Sequence, residues 1–371
     1  MSDILQITML PAKEGDCLLI AYGEEDDRKY ILIDGGRAWT YKNALKAYLQ
    51  DNEINRLELF ITTHIDRDHI DGVVELLDDN DLELDVGEIW FNTWDHLQGN
   101  AIETPDNDDD IETFGAKMGE ELSTKILEKG WHWNGSFGGH AVEIDDDPQE
   151  NEIQIGDIKL TLLSPDRKRL ESLINDWEKE CQEAGLAPGY GVEDYKELPK
   201  DVEVFGAIDI DELAEKETDE DNSDANGSSI ACLLEYKGRR LLLSGDAHID
   251  ILIESLKRLG ATPEDPLELD AFKIPHHGSK ANISKELLDL LHCKNYLVST
   301  NGNYFKHPDD IAMARIVKYG SDDATINFNY NTKYNKKWKN EAWEEDYHYK
   351  TNFPPKDEDG YLTVTFTVED N

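Results

Sequence analysis

Thr63-His64-Ile65-Asp66-Arg67-Asp68-His69-Ile70-Asp71-Gly72 is the stretch on which the fold of this chain turns. Two histidines and two aspartates stand at His64, Asp66, Asp68 and His69, directly after the apolar run Leu57, Leu59, Phe60, Ile61. An apolar run ending in such a cluster predicts a buried strand whose C-terminal end opens into a loop. Alternate residues of an extended loop point the same way, so His64, Asp66 and Asp68 converge on one side and His69 faces a neighbouring point. Two adjacent metal ions suit that arrangement. Imidazole and carboxylate donors fit zinc, and a carboxylate-rich set also admits manganese.

Outward from this loop the chain alternates strand and helix patterns. Residues 4–10, 17–22, 29–34, 57–62, 158–164, 230–236, 239–244, 269–274 and 296–299 read as strands. Helical spacing marks Ala44 to Leu49, Ile70 to Leu77, Met118 to Lys129, Leu170 to Cys181, 249–259 and Leu287 to Leu291. That rhythm predicts a layered α/β fold. Tyr361 to Val368 alternates and is expected to close a sheet.

Two stretches break the rhythm. Residues 95–150 read as an irregular insertion; its Trp131 and Trp133 suit packing or substrate contact, and His140 is a candidate mid-chain ligand. Residues 182–225 form an acidic insertion, with a nearly unbroken polar run from Glu215 to Asp224. Such a run buries too little apolar surface to fold alone, so it is expected to be mobile. Its part 201–225 is then a spacer, or a lid over a site.

The 371 residues suit one large α/β domain, 1–371, with insertions. The net charge of −44 repels polyanions at long range, which works against nucleic-acid binding. Lys273, Lys280, Lys285, Lys306 and Arg315 cluster in sequence and predict a local basic patch. The cysteines at 17, 181, 232 and 293 are far apart; Cys17 and Cys232 read as core thiols, and a reducing cytoplasm is the expected location. No apolar run approaches the roughly 20 residues of a membrane span, so no membrane partner is expected.

The H-x-D-x-D-H spacing of His64 to His69 resembles the first metal motif of the metallo-β-lactamase superfamily, whose commoner form is H-x-H-x-D-H. Asp66 at the third position resembles the branch typified by the hydrolase domain of the DNA-uptake protein ComEC. Further pieces match in order. Ile31 to Gly36 resembles the early strand ending in Asp-Gly, and Leu241 to Asp246 the strand bearing the metal-bridging aspartate. Phe272 to Ser279 resembles the late histidine motif, and Asn301 with His307-Pro308 the terminal element. Asn226-Gly227-Ser228-Ser229 resembles an Asn-x-x-Ser segment near the first metal. About residues 5–90 and 155–320 are covered.

The resemblance implies a four-layer αββα sandwich and a metal-dependent hydrolase holding one or two divalent ions, Zn or Mn. His64, Asp66 and Asp246 would serve the first ion. Asp68, Asp246 and either His276 or His277 would serve the second, with His69 also among the ligands. A metal-activated hydroxide would attack phosphorus or carbonyl carbon. Asp68 would orient it or take its proton, and His307 would steady the departing oxygen as imidazolium. Asn226, Ser279 and Lys280 would contact substrate, with Lys273 a further candidate, while His248 suits a supporting or surface place. A phosphodiesterase or nuclease is expected, its partner being nucleic acid or a small phosphodiester. Hydrolysis of a small ester, phosphocholine ester, lactone or thioester is the alternative, favoured by an apolar pocket of Trp94, Trp131 and Trp133. Stand-alone members of the branch resemble components of prokaryotic antiviral systems, which implies a regulatory protein partner acting through the acidic loop.

Overall fold

The computed structural model describes residues 3–102, 117–183, 208–356 and 358–368. Strands β1 (Ile4–Met9), β2 (Leu18–Gly23), β3 (Lys29–Ile33), β4 (Leu59–Ile61) and β5 (Ile89–Trp90) come first. Next are β6 (Glu152–Ile155), β7 (Ile158–Ser164), β8 (Ala231–Tyr236) and β9 (Arg239–Leu243). They are followed by β10 (Ala271–Lys273), β11 (Asn295–Val298), β12 (Thr325–Phe328), β13 (Lys350–Asn352) and β14 (Leu362–Thr367). They form a six-stranded sheet, β14-β1-β2-β3-β4-β5, and an eight-stranded sheet, β13-β12-β11-β10-β9-β8-β7-β6. Each sheet is antiparallel on one side and turns parallel partway across, at β3–β4 in the first and β9–β10 in the second.

The strand period of two explains how the sheets stack. Ile31 and Ile33 of β3, Leu59 and Ile61 of β4, and Leu241 and Leu243 of β9 all join the core between the sheets. Their neighbours Leu32 and Phe60 face the other way, into a core against helices α1 (Lys46–Asp51), α2 (Arg67–Asp78), α3 (Lys117–Lys129) and α4 (Arg167–Glu183). Leu242 faces a third core with α5 (Ile210–Ala214), α6 (Ile249–Arg258), α7 (Lys285–Asp289) and α8 (Asp310–Tyr319). Both faces of these strands are apolar because both are covered. The result is the four-layer αββα sandwich of the metallo-β-lactamase type.

Parallel pairing sets the carboxyl ends of β3 and β4 side by side, and likewise those of β9, β10 and β11. Loops at such ends are where α/β sheets gather ligand-binding residues. Asp34 follows β3, His64 and Asp66 follow β4, Asp246 follows β9, and His276 and His277 follow β10; the expected extended loop ends at Asp66, and Asp68 and His69 stand in the first turn of α2.

Two expectations change here. The described part of the acidic insertion is packed rather than loose: Asp209 caps α5, and Ile210 and Ala214 are buried in the third core. The few apolar residues of the segment suffice because an existing helix layer receives them; residues 184–207 lie outside the described residues. Within 95–150, residues 103–116 are likewise outside, while Leu122, Ile126 and Trp133 are buried against the first sheet. Cys17, Cys232 and Cys293 are buried free thiols. Among the described residues no helix is long and apolar enough to cross a membrane.

Candidate metal centre

The site is built on close backbone approaches that glycine permits. A Cβ on Gly72 would lie 1.9 Å from the Gly35 carbonyl oxygen, and one on Gly35 would lie 2.5 Å from the Val73 nitrogen. Helix α2 therefore seats directly on the Asp34-Gly35-Gly36 turn, where Gly35 N–H donates to the His69 carbonyl at 2.8 Å. That contact brings His69 Nδ1 to 2.7 Å from Asp34 Oδ2.

Asp34 orients more than one histidine. Its Oδ2 also accepts from the Thr63 hydroxyl at 2.8 Å, and Thr63 Oγ1 stands 3.0 Å from His64 Nδ1. The Thr63 proton is committed to Asp34, so His64 Nδ1–H donates to Thr63 and leaves the Nε2 lone pair bare. His69 Nδ1–H donates to Asp34 and leaves its own Nε2 bare. A hydrogen bond on one ring nitrogen is what sets the tautomer and frees the other for a ligand.

Three donors stand at ligand spacing. His69 Nε2 is 3.2 Å from His277 Nε2, and each lies 3.4 Å from Asp246 Oδ2. Ligands bound about 2.0–2.1 Å from one tetrahedral ion stand about 3.3–3.4 Å apart, so this triangle matches a shared ion. Asp68 Oδ2 adds a fourth donor 3.8 Å from His277 Nε2. His277 Nδ1–H donates to the Ser299 carbonyl at 3.0 Å, which turns Nε2 into the triangle.

Beside this inner set is an outer one. His64 Nε2 is 3.7 Å from Asp66 Oδ2, and His276 Nε2 is 4.0 Å from Asp246 Oδ2. His64 Nε2, Asp246 Oδ1 and Asn226 Oδ1 are buried without a hydrogen-bond partner. Orphaned polar atoms of that kind are costly unless something binds them. Bare nitrogens and carboxylate oxygens converging without donors of their own fit a cation, so the residues present suit a divalent metal.

The electrostatics agree. Burial disfavours charge on His69 and His277, but Asp246 outweighs it, helped by Asp34 for His69 and by Asp16 for His277. His69 is raised well above the usual range, and His277 to about 10. Burial likewise opposes ionisation of Asp246, yet His277, His69 and His276 hold it well below the usual range. Protons on the histidines thus balance the carboxylates, a task that a cation takes over when it binds.

His276 and His277 are told apart by this geometry. His277 is in the inner triangle. His276 Nδ1 is 2.9 Å from Asp221 Oδ2, which also accepts from Asn226 at 2.8 Å and Asn282 at 3.2 Å. Asp221 comes from the acidic insertion, and its side chain is only 8% exposed. His248 supports the same segment, its Nε2 donating to the Ser223 carbonyl at 2.9 Å. His276 and His277 occupy left-handed backbone, φ 46° and 51°.

Several sequence expectations need correction. Lys273 is no substrate contact: 1% exposed, it pairs with the equally buried Asp16 at 2.7 Å, because a strand residue before the turn points into the interior. Arg315 is buried and clamps loops, donating to the carbonyls of Lys216 at 2.5 Å and Lys280 at 3.0 Å. Lys285 is tied to Asp289. Of the expected basic patch, only Lys280 and Lys306 are left. Ser279 is buried in its turn, where its hydroxyl accepts from Ala281 N–H. His307 lies against His276, ring centroids 5.3 Å apart, beyond the ligand clusters. Burial, then the charges on His276 and His277, push it down to about 3, so it is a neutral imidazole and not an imidazolium. Asn301 accepts from Asn303 N–H in its own turn. His140 is exposed and remains apart from the cluster, its carbonyl accepting from Asn134. Trp133 is buried with its indole N–H on the Phe91 carbonyl, and Trp94 lies on Trp177.

Asp16 and Asp221 were not foreseen. Ligand-capable atoms of Asp16, His69, Asp246 and His277 lie within 4.8 Å of one another. Asp16 reaches them because Gly15 passes so close to Asp68 that a Cβ would lie 1.7 Å from its carbonyl oxygen. A Gly-Asp pair before an apolar run was the only available signal.

No protein-family model matches the chain, and no curated protein matches it. Among solved structures it is similar to a protein from Parabacteroides distasonis described as a metal-dependent hydrolase. The identity is 13% and the TM-score 0.37, over 94% of this chain and 92% of that one. It is also similar to CmlA, a diiron β-hydroxylase from Streptomyces venezuelae, at 13% identity and TM-score 0.35, over 84% of this chain and 47% of that one. The fold assignment rests on the sheet order and layering described above.

Proposed function

We propose that this chain is a metal-dependent phosphodiesterase whose substrate is nucleic acid. The triangle of His69, His277 and Asp246 at 3.2–3.4 Å supports this reading most directly. His69, His277, Asp246 and Asp68 would hold one ion; His64, Asp66 and Asp246 would hold a second, with His276 beside it. Divalent ions in such a site supply Lewis-acid polarisation and make water acidic enough to act near neutral pH. The carboxylate share of the donors suits manganese as well as zinc.

The protein's own groups do the remaining work. Asp34 and Ser299 hold the histidine rings so that lone pairs face inward. Asp68, 10% exposed at the margin of the inner set, is placed to take a proton from an attacking water. His307, neutral and within ring contact of His276, is a hydrogen-bonding group for a substrate oxygen. The ester-hydrolase reading loses its support, since Trp133 is committed to packing. Asp221 belongs to the site's wall through His276, so we read the described acidic segment as structural and not as a displaceable cover.

The test joins metal analysis of the purified protein to digestion of plasmid, single-stranded DNA and RNA with added manganese or zinc. Bis(p-nitrophenyl) phosphate is included as a minimal phosphodiester. Stoichiometric metal and cleavage are expected, both lost in Asp68→Ala, His69→Ala. Bound metal with no cleavage of any phosphodiester would overturn the proposal.

A further inference from the structure

Beside the centre the surface changes character. Exposed large hydrophobic residues are few among the described residues, and Trp39, Tyr304 and Phe305 are among them, at 42%, 39% and 46%. They do not lie apart. Tyr304 and Phe305 pack edge to face with centroids 4.6 Å apart, and Arg37 lies over the Tyr304 ring at 5.8 Å. Trp39 follows two residues later and carries Lys13 over its ring at 4.3 Å.

This aromatic rim is continuous with the site. Phe305 lies nearly parallel to His307, 22° between planes and 6.1 Å between centroids, and His307 touches His276. Gly302 makes the display possible. At φ 70° it passes so near Tyr334 that a Cβ would lie 2.4 Å from the ring, two residues before Tyr304.

Ammonium groups also lie along the rim, Lys13 over Trp39 and Lys306 over Tyr334. Several surface lysines of this acidic protein are paired with carboxylates, as Lys29 with Asp157 and Lys257 with Glu286. Lys13, Lys280 and Lys306 form none of the ion pairs found among the described residues. Exposed flat rings interleaved with ammonium groups are what a single nucleic-acid strand requires: bases stack on the rings and phosphates meet the charges. A duplex keeps its base faces hidden, and an anionic surface has no use for the rings.

We propose that the rim of Trp39, Tyr304 and Phe305, with Lys13 and Lys306, is a stacking platform that delivers single-stranded nucleic acid to the metal centre. The proposal deepens the phosphodiesterase reading and rests on it for the purpose of delivery, but binding is measured without turnover. Fluorescence anisotropy of a labelled 20-nucleotide single strand, in chelator, is compared with the same sequence as duplex. The wild type is expected to prefer the single strand. Trp39→Ala, Phe305→Ala should weaken it by about tenfold or more, the scale of losing stacked bases. Trp39→Phe, Phe305→Tyr should retain binding, and matching melting curves exclude misfolding as the cause. Equal affinity for duplex, no measurable single-strand binding, or indifference to the alanine pair would each overturn the platform. Hydrolysis of bis(p-nitrophenyl) phosphate without strand binding would remove the platform and leave the phosphodiesterase. Ring-dependent strand binding without any hydrolysis would do the reverse.

Discussion

The inner and outer halves of the candidate centre are made from the same kinds of side chain, yet they differ in how firmly each donor is held. In the inner half, His69 and His277 are fully buried and each has its Nδ1 fastened, to Asp34 and to the Ser299 carbonyl. Their donors already stand within 3.4 Å of Asp246. In the outer half, His64 is buried and fastened to Thr63, but Asp66 has a side chain 44% exposed, and the separations widen to 3.7 and 4.0 Å. Preorganised donors bind an ion without first giving up side-chain freedom, so position and burial matter more here than ligand count. The inner half should bind first and more tightly.

The largest test of that contrast is Asp246→Asn, because Asp246 faces both halves. Both ions should disappear from elemental analysis, and hydrolysis should fall at least about a thousandfold, as when a principal charge-stabilising group is removed. A tightly bound ion surviving in this variant would break the shared-carboxylate picture. Next comes a matched pair. His277→Ala should abolish tight binding, whereas His64→Ala should leave one ion per chain in a calorimetric titration. Equal losses in the two variants would erase the distinction. The smallest expected effect separates the supports: Asp34→Asn should weaken metal affinity about 10- to 100-fold, the usual scale for a residue that orients a ligand. Asp221→Asn, which among the candidate histidine ligands touches only His276, should leave the tighter ion's affinity unchanged. A loss there comparable to that in Asp34→Asn would mean the halves are not separable.

Much of this was legible in the sequence because one short motif supplies donors to both halves. His64, Asp66, Asp68 and His69 lie close together in the chain, and the strand before them announces itself by its apolar run. The Asp-Gly-Gly turn at Asp34 was equally readable, since helix α2 can seat there only on glycine. Lys273 was misread because strand direction, not residue type, decides whether a lysine faces solvent. Asp221 was hidden among similar carboxylates, and nothing local distinguishes the one that meets His276. Asp16 is placed by contacts from distant parts of the chain, which no local pattern encodes. The aromatic rim was invisible for the same reason: Arg37 and Tyr304 become neighbours only when the chain has folded.

The contact between His69 and His277 spans 208 positions of the chain. Contacts so remote in sequence form late, because the intervening chain must first be ordered. During synthesis, the motif from His64 to His69 leaves the ribosome long before its partners Asp246 and His277 exist. A growing chain therefore has an incomplete ligand set until β10 and its turn have been made and paired. On the proposed reading, that order of assembly is a built-in delay: the inner ligand set is complete only once the chain has been made as far as His277 of its 371 residues.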